Sequence, residues 1–145
     1  MVSSITWTGS GNTVTVNNGG DIETIVFDKD TKNNKVIITE ENGENIGTVK
    51  NITFGTGKED IFEVNNSKGI FDYKVANADE IILSGTNNQE DIQWNFSENN
   101  IISGTDVKVT VEDNGAINFR YFRRFKTWKQ CCVRFRLCKT KSWKS

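Results

Sequence analysis

The chain contains no histidine and no proline, and its three cysteines, Cys131, Cys132 and Cys138, all lie near the C-terminus. Without histidine the commonest general base and the commonest metal ligand are missing. Ser-His-Asp catalysis, Cys-His catalysis and His-ligated zinc are thereby excluded. Helix-forming residues are also scarce. Up to residue 119 the only leucine is Leu83 and the only alanines are Ala76, Ala78 and Ala116, which argues against helices. No apolar run is long enough for a membrane-spanning helix. Met1-Val2-Ser3-Ser4 lacks the charged and apolar regions of a targeting segment, so an export signal would have to lie outside this chain.

The length, 145 residues, suits one domain with a tail. The formal net charge of -1 averages two unlike segments. Residues 1–119 hold 8 Lys against 19 acids, a net -11, together with every Gly, Asn and Ile of the chain. Residues 120–145 hold 5 Arg and 5 Lys with no acid, a net +10, and all three cysteines. The shift divides the chain into an acidic β-repeat domain, 1–119, and a basic Cys/aromatic tail, 120–145.

The acidic domain is rich in Val, Ile and Thr that alternate with polar residues over short stretches. Val14-Thr15-Val16, Ile22-Glu23-Thr24-Ile25-Val26-Phe27 and Val107-Lys108-Val109-Thr110-Val111 are examples. Period-two alternation of β-branched residues predicts short, half-buried strands. Asn- and Gly-rich breaks between them tolerate the positive φ of sharp corners. The strands fall into a loose repeat. Asp21–Phe27, Thr48–Phe54, Asn77–Leu83 and, more weakly, Gly115–Phe119 form one type of segment. Asn12–Val16, Lys35–Ile38, Glu59–Val64 and Glu90–Trp94 form the other. Ile25 and Ile52 are 27 residues apart, and Ile52 and Ile81 are 29 apart. That step suits a coil of an all-β, β-solenoid-like stack, in which inward Ile, Val and Phe rows are buried by stacking coils about 4.8 Å apart. The alternative is an antiparallel β-sandwich, which also has short strands and frequent turns.

Asp21–Phe27 and the run Ala78–Thr86 resemble segments of large repetitive bacterial surface proteins, among them RTX-type adhesins and S-layer proteins. The resemblance implies an exported β-repeat segment at the cell surface or outside it, in a family whose repeats often bind Ca²⁺. Its surface would meet cell-surface glycans or host surface proteins, and its coil ends would be open to self-association. The RTX nonapeptide is not intact. Gly55-Thr56-Gly57-Lys58-Glu59-Asp60-Ile61-Phe62 carries one extra residue before the aspartate, and no nine-residue period exists.

Glu59-Asp60 and Glu90-Asp91 occupy corresponding repeat positions, and Asp106 follows a Gly-Thr turn. Stacked in register, Glu59, Asp60, Glu90, Asp91 and Asp106 would form a carboxylate column that repels itself. Ca²⁺, which takes about six to eight oxygens in flexible geometry, would relieve the repulsion. A solvated acidic corner is the simpler expectation. Five Asn-Asn pairs, beginning at Asn17, Asn33, Asn65, Asn87 and Asn99, read as left-handed turn residues, with internal amide ladders as the alternative. Trp7 and Trp94 could stack on sugars, but core or rim packing is the plainer reading.

In the tail, basic residues interleave with aromatics from Arg120 to Trp128. Such a segment suits nucleic acid or an anionic membrane surface. Its abrupt loss of Asn, Gly, Ile and acids also fits an out-of-frame translation, disordered and outside the core. The sequence therefore points to a non-enzymatic structural or adhesive module, with a Ca²⁺-binding repeat segment and a basic-tailed nucleic-acid or membrane binder as alternatives.

Overall fold

In the computed structural model, the described residues are 2–17, 20–39, 48–66, 68–85, 93–96, 100–103, 107–112, 116–119, 125–132 and 137–142. For residues 93, 95, 96, 101–103, 116–119, 125–132 and 137–142 the backbone path alone is described. The described residues contain strands and no helix. In chain order they are β1 (Val2–Trp7), β2 (Thr13–Val16), β3 (Asp21–Phe27), β4 (Lys35–Thr39), β5 (Thr48–Thr53), β6 (Ile61–Asn65) and β7 (Lys74–Ala76). There follow β8 (Glu80–Ser84), β9 (Gln93–Phe96), β10 (Ile101–Ser103), β11 (Val107–Val111), β12 (Ala116–Phe119), β13 (Phe125–Cys132) and β14 (Leu137–Ser142).

Strands alternate between two sheets as the chain winds. One sheet has the order β1-β3-β5-β7-β10, and the other β14-β13-β11-β8-β6-β4-β2. A third, two-stranded sheet pairs β12 with β9. Every pairing from β1 to β13 is parallel, and β13–β14 alone is antiparallel. Such sheets require each strand to lie on the strand one coil earlier, so the protein is a β-solenoid. The sandwich alternative would need antiparallel neighbours within each sheet.

The inward rows form the core. In the second sheet, Val14, Val36, Phe62, Ile81 and Val109 stack in register, and Val16, Ile38, Val64, Leu83 and Val111 form the next row. In the first sheet, Ile5, Ile25, Ile52 and Val75 form the matching row. Ile25, Ile38, Ile52, Phe62, Ile81 and Leu83 are fully buried. Burying a side chain of this size stabilises by about 1.5–3 kcal/mol, so the rows supply the main driving force. Aromatic rings stack along the same direction. Trp7 lies 5.6 Å from Phe27, and Phe27 lies parallel to Phe54 at 5.3 Å.

The register corrects the expected repeat in one respect. Ile25 pairs with Ile52 as anticipated. Ile52, however, lies beside Val75, and Ile81 lies beside Phe62 in the other sheet. The run Asn77–Leu83 thus continues the second sheet, and the short β7 occupies the place assigned to it. Likewise β12, within Gly115–Phe119, pairs with β9 and not with the first sheet. The charge boundary at residue 119 is not a boundary in the strand order, because β13 pairs with β11 and β14 turns back on β13.

Candidate functional site

Each coil turns from the first sheet to the second at a corner, and the residue just before the second-sheet strand is Asn or Asp. Asn12 precedes β2, Asn34 precedes β4, Asp60 precedes β6 and Asp79 precedes β8. The side chains of Asn34, Asp60 and Asp79 each reach back to the backbone of the equivalent residue one coil earlier. The Asn12 N–H donates to Asn34 Oδ1 at 2.9 Å, the Asn34 N–H to Asp60 Oδ1 at 2.9 Å and the Asp60 N–H to Asp79 Oδ2 at 3.0 Å. Main-chain bonds accompany the column. Lys35 N–H donates to Asn12 O at 2.8 Å, Ile61 N–H to Asn34 O at 3.0 Å and Lys108 N–H to Asp79 O at 3.0 Å. A buried amide N–H left without an acceptor costs roughly 1–3 kcal/mol. The column therefore satisfies donors that the corner takes out of the regular ladder.

Local backbone geometry explains why these side chains reach the interior. The preceding residues Gly11, Asn33 and Glu59 all have left-handed φ, at 76°, 54° and 67°. Glycine and asparagine adopt this region readily, and glutamate does so at a cost of roughly 1–2 kcal/mol. The corner conformation recurs over three coils even where the residue type opposes it. At the shorter corner before β8 the left-handed residue is Asn77, φ 63°, whose Nδ2 donates to Phe54 O at 3.2 Å.

Of the residues expected to bind metal, Asp60 is buried and Glu59 is exposed. The two neighbours diverge, one into the column and one into solvent. Asp60 stacks on Asp79, because β6 lies beside β8. Glu90, Asp91 and Asp106 lie outside the described residues. Among the described residues no group of three or more His, Cys, Asp or Glu could hold a metal ion. Desolvation by burial pushes the Asp60 carboxyl up from 3.8 to about 6; the Asn34 N–H opposes this and the Asp79 charge adds to it. Asp60 Oδ2 and Asn34 Nδ2 are buried without a hydrogen-bond partner.

The Gly55-Thr56-Gly57 segment, which approximates the RTX glycines, is pressed against the corner of the coil before it. A β-carbon at Gly55 would sit 2.5 Å from Asp28 O and 2.6 Å from Thr31 O, and one at Gly57 2.6 Å from Thr31 O. Between them, Thr56 donates from both N–H and Oγ1 to Lys29 O, at 2.7 and 3.0 Å. These glycines permit backbone-on-backbone stacking of two corners.

The opposite corner uses different chemistry. Buried Asn66 accepts the Lys68 and Ile70 N–H groups on Oδ1, at 3.1 and 3.0 Å, and donates from Nδ2 to Ile70 O at 3.0 Å. The rings of Phe62, Phe71 and Tyr73 then meet edge to face, each pair 5.1–5.8 Å apart. Burial and the adjacent Asp72 charge push the Tyr73 phenol up to about 12. Asn100 Nδ2 reaches back to Tyr73 O at 2.9 Å, so this corner too has a rung between coils.

At the Asn33-Asn34 pair both expectations hold at once. Asn33 is the left-handed turn residue, and Asn34 belongs to an internal ladder. Trp94 is fully buried, and Trp7 packs against the core. On the outward face of the second sheet, Lys35 meets Glu63 at 3.8 Å, Lys108 meets Glu80 at 3.5 Å, and Thr110 Oγ1 donates to the same Glu80 oxygen at 2.8 Å. The ladder role of Asp79 was missed from sequence. Its signal is an Asn or Asp immediately before each second-sheet strand.

No protein-family model, curated protein or solved structure matches the chain. Among the described residues no helix is long and apolar enough to cross a membrane.

Proposed function

We propose that the chain is a non-catalytic structural or adhesive module of a repetitive surface or secreted bacterial protein. The observation that carries this reading is the use made of its buried polar groups. Asn34, Asp60 and Asn100 each reach the backbone of a neighbouring coil. Their chemistry is spent on holding register in a rod. The outward rows offer Thr, Ser, Asn, Lys and acids, repeated coil by coil, such as Thr13-Lys35 and Thr39-Asn65-Ser84. Repeated weak contacts to glycans or host surface proteins gain strength by multivalency. The test is binding to a panel of immobilised glycans and host surface proteins, with the chain presented singly and on a multivalent carrier. Binding that rises steeply with valency supports the reading. Hydrolysis or turnover of a bound glycan refutes it.

A second reading, a Ca²⁺-dependent repeat segment, is favoured by one observation: Asp60 and Asp79 stack in adjacent coils and Asp60 Oδ2 lacks a partner. It expects a higher melting temperature in millimolar Ca²⁺ than in EDTA. Identical melting curves refute it.

A further inference from the structure

The β13–β14 hairpin is tied down differently from the coils before it. β14 turns back antiparallel on β13 and pairs with no other strand among the described residues. The Asn/Asp column that fastens successive coils has its last described rung at Asp79, ahead of β8. The hairpin also holds every cysteine of the chain. Cys131 and Cys132 end β13, and Cys138 is the second residue of β14.

The register singles out one pair of them. Cys131 lies directly opposite Cys138, and Cys132 lies opposite Leu137. Directly opposite residues of an antiparallel pair have Cα atoms about 4.5 or about 5.5 Å apart, depending on the hydrogen-bonding phase. A disulfide spans Cα separations of about 4.4–6.8 Å, so either phase admits one. The two other bridges fit badly. Cys131 and Cys132 are chain neighbours, with Cα atoms about 3.8 Å apart and on opposite faces of the strand. Cys132 and Cys138 are one register step apart, which also sets them on opposite faces of the hairpin. Charge favours the reaction as well. Residues 120–145 carry 5 Arg and 5 Lys with no acid. Lys129, two residues before Cys131, shares its face. Positive surroundings favour the thiolate, the form that attacks a disulfide.

We propose that Cys131 and Cys138 form a cross-strand disulfide that clasps β14 to β13, and that Cys132 keeps its thiol. The oxidant is a small-molecule disulfide of the oxidised glutathione type. The thiolate of one cysteine attacks it, forming a mixed disulfide and releasing one thiolate. The thiolate of the other cysteine then breaks the mixed disulfide and releases the second. The chain gives up two electrons, the oxidant becomes two thiols, and the two cysteine protons end on them. In an oxidising compartment β14 is then fixed covalently, whereas under reduction the strand ladder alone holds it. This inference goes beyond the adhesive reading and stands on strand register.

The test is equilibration of the full chain, purified in reductant, with mixtures of reduced and oxidised glutathione at low protein concentration. The expected product is a monomer that has lost two hydrogen atoms and keeps one thiol open to alkylation. Trypsin should release residues 130–134 joined to residues 137–139. Two variants, each with two cysteines left, read the register. The bridge in Cys132→Ser should be about tenfold or more stable against glutathione than the bridge in Cys131→Ser, whose remaining cysteines lie on opposite faces. In denaturing urea, where no register exists, the two variants should bridge equally. Oxidation of Cys132→Ser should slow hydrogen exchange in residues 137–142 and leave β3 unchanged. A chain that keeps three thiols in oxidising mixtures overturns the proposal. So does a Cys131→Ser bridge as stable as that of Cys132→Ser, or a preference that persists undiminished in urea.

Discussion

The two corners of the coil hold the same stack by different means. At the corner before the second sheet, Asn12, Asn34, Asp60 and Asp79 pass hydrogen bonds from coil to coil, and Gly55 and Gly57 let one backbone press on another. At the opposite corner, Asn66 folds a local turn and the Phe62, Phe71 and Tyr73 rings fill the space. The first corner fixes register and tolerates little added volume. The second has its own rung, Asn100 to Tyr73 O, but fills its interior with rings. A polar column in a dry interior is stiff because every misstep leaves a donor unpaired. A ring cluster can adjust by small rotations.

The sharpest way to break this contrast is Gly55→Ala. The new methyl group would have to lie 2.5 Å from the Asp28 carbonyl oxygen, and two packed backbones would have to separate. Urea denaturation should show a loss of about 3 kcal/mol or more. A change of one heavy atom at the other corner, the removal of a hydroxyl in Tyr73→Phe, should cost well under that.

Asp60 gives the next effect, with the opposite sign. Its folded carboxyl titrates near 6 and the unfolded one near 3.8. Between these values the folded state holds the proton that the unfolded state has released, so stability falls as pH rises through this window. Below it the desolvation penalty is absent, and above it the penalty is fully present. Asp60→Asn keeps the Oδ1 acceptor for Asn34 and reproduces the rung that Asn34 itself makes. Relative to the variant, the wild type should lose about 3 kcal/mol across the window, read as the difference between two denaturation-versus-pH curves. Parallel curves would show that Asp60 is not desolvated as the geometry indicates.

At the opposite corner, Asn66→Ala removes three hydrogen bonds from one turn. Part of the freed backbone there reaches water, so the expected loss is about 1–2 kcal/mol. Hydrogen exchange should quicken in residues 68–73 and stay unchanged in Asp28–Asn34. The smallest effect belongs to Glu59, the left-handed residue with a β-carbon and a long side chain. Glu59→Gly should raise stability by up to about 1 kcal/mol, since the corner strain removed outweighs the added unfolded-state entropy.

Much of the architecture was legible because the strands carry it locally. Alternating Val, Ile and Thr fixed strand character, and the 27-residue step from Ile25 to Ile52 corresponds to a true register pair. The phase was lost at β7, which has three residues. Lys74–Ala76 is too short to show a period, whereas Ile81-Ile82-Leu83 imitates the first-sheet pattern by composition. A coil whose connecting corner shrinks to Asn77–Asp79 moves the next strand forward and defeats spacing. The partner of Asp60 was hidden for a related reason. Glu59-Asp60 and Glu90-Asp91 match as dipeptides, but what the fold reads is the residue just ahead of a strand. By that rule Asp60 belongs with Asn12, Asn34 and Asp79, and the glutamate beside it is a corner residue facing water.

The side-chain column has a direction. Each Asn or Asp acts on the coil made before it: Asn34 on the first, Asp60 on the next, Asp79 on the one after. A coil emerging later in synthesis therefore latches the coil already in place, and nothing in that latch waits for sequence still to come. Such a rod can close behind a moving chain, one winding at a time, from its N-terminal end, like a ratchet whose pawls all point backwards.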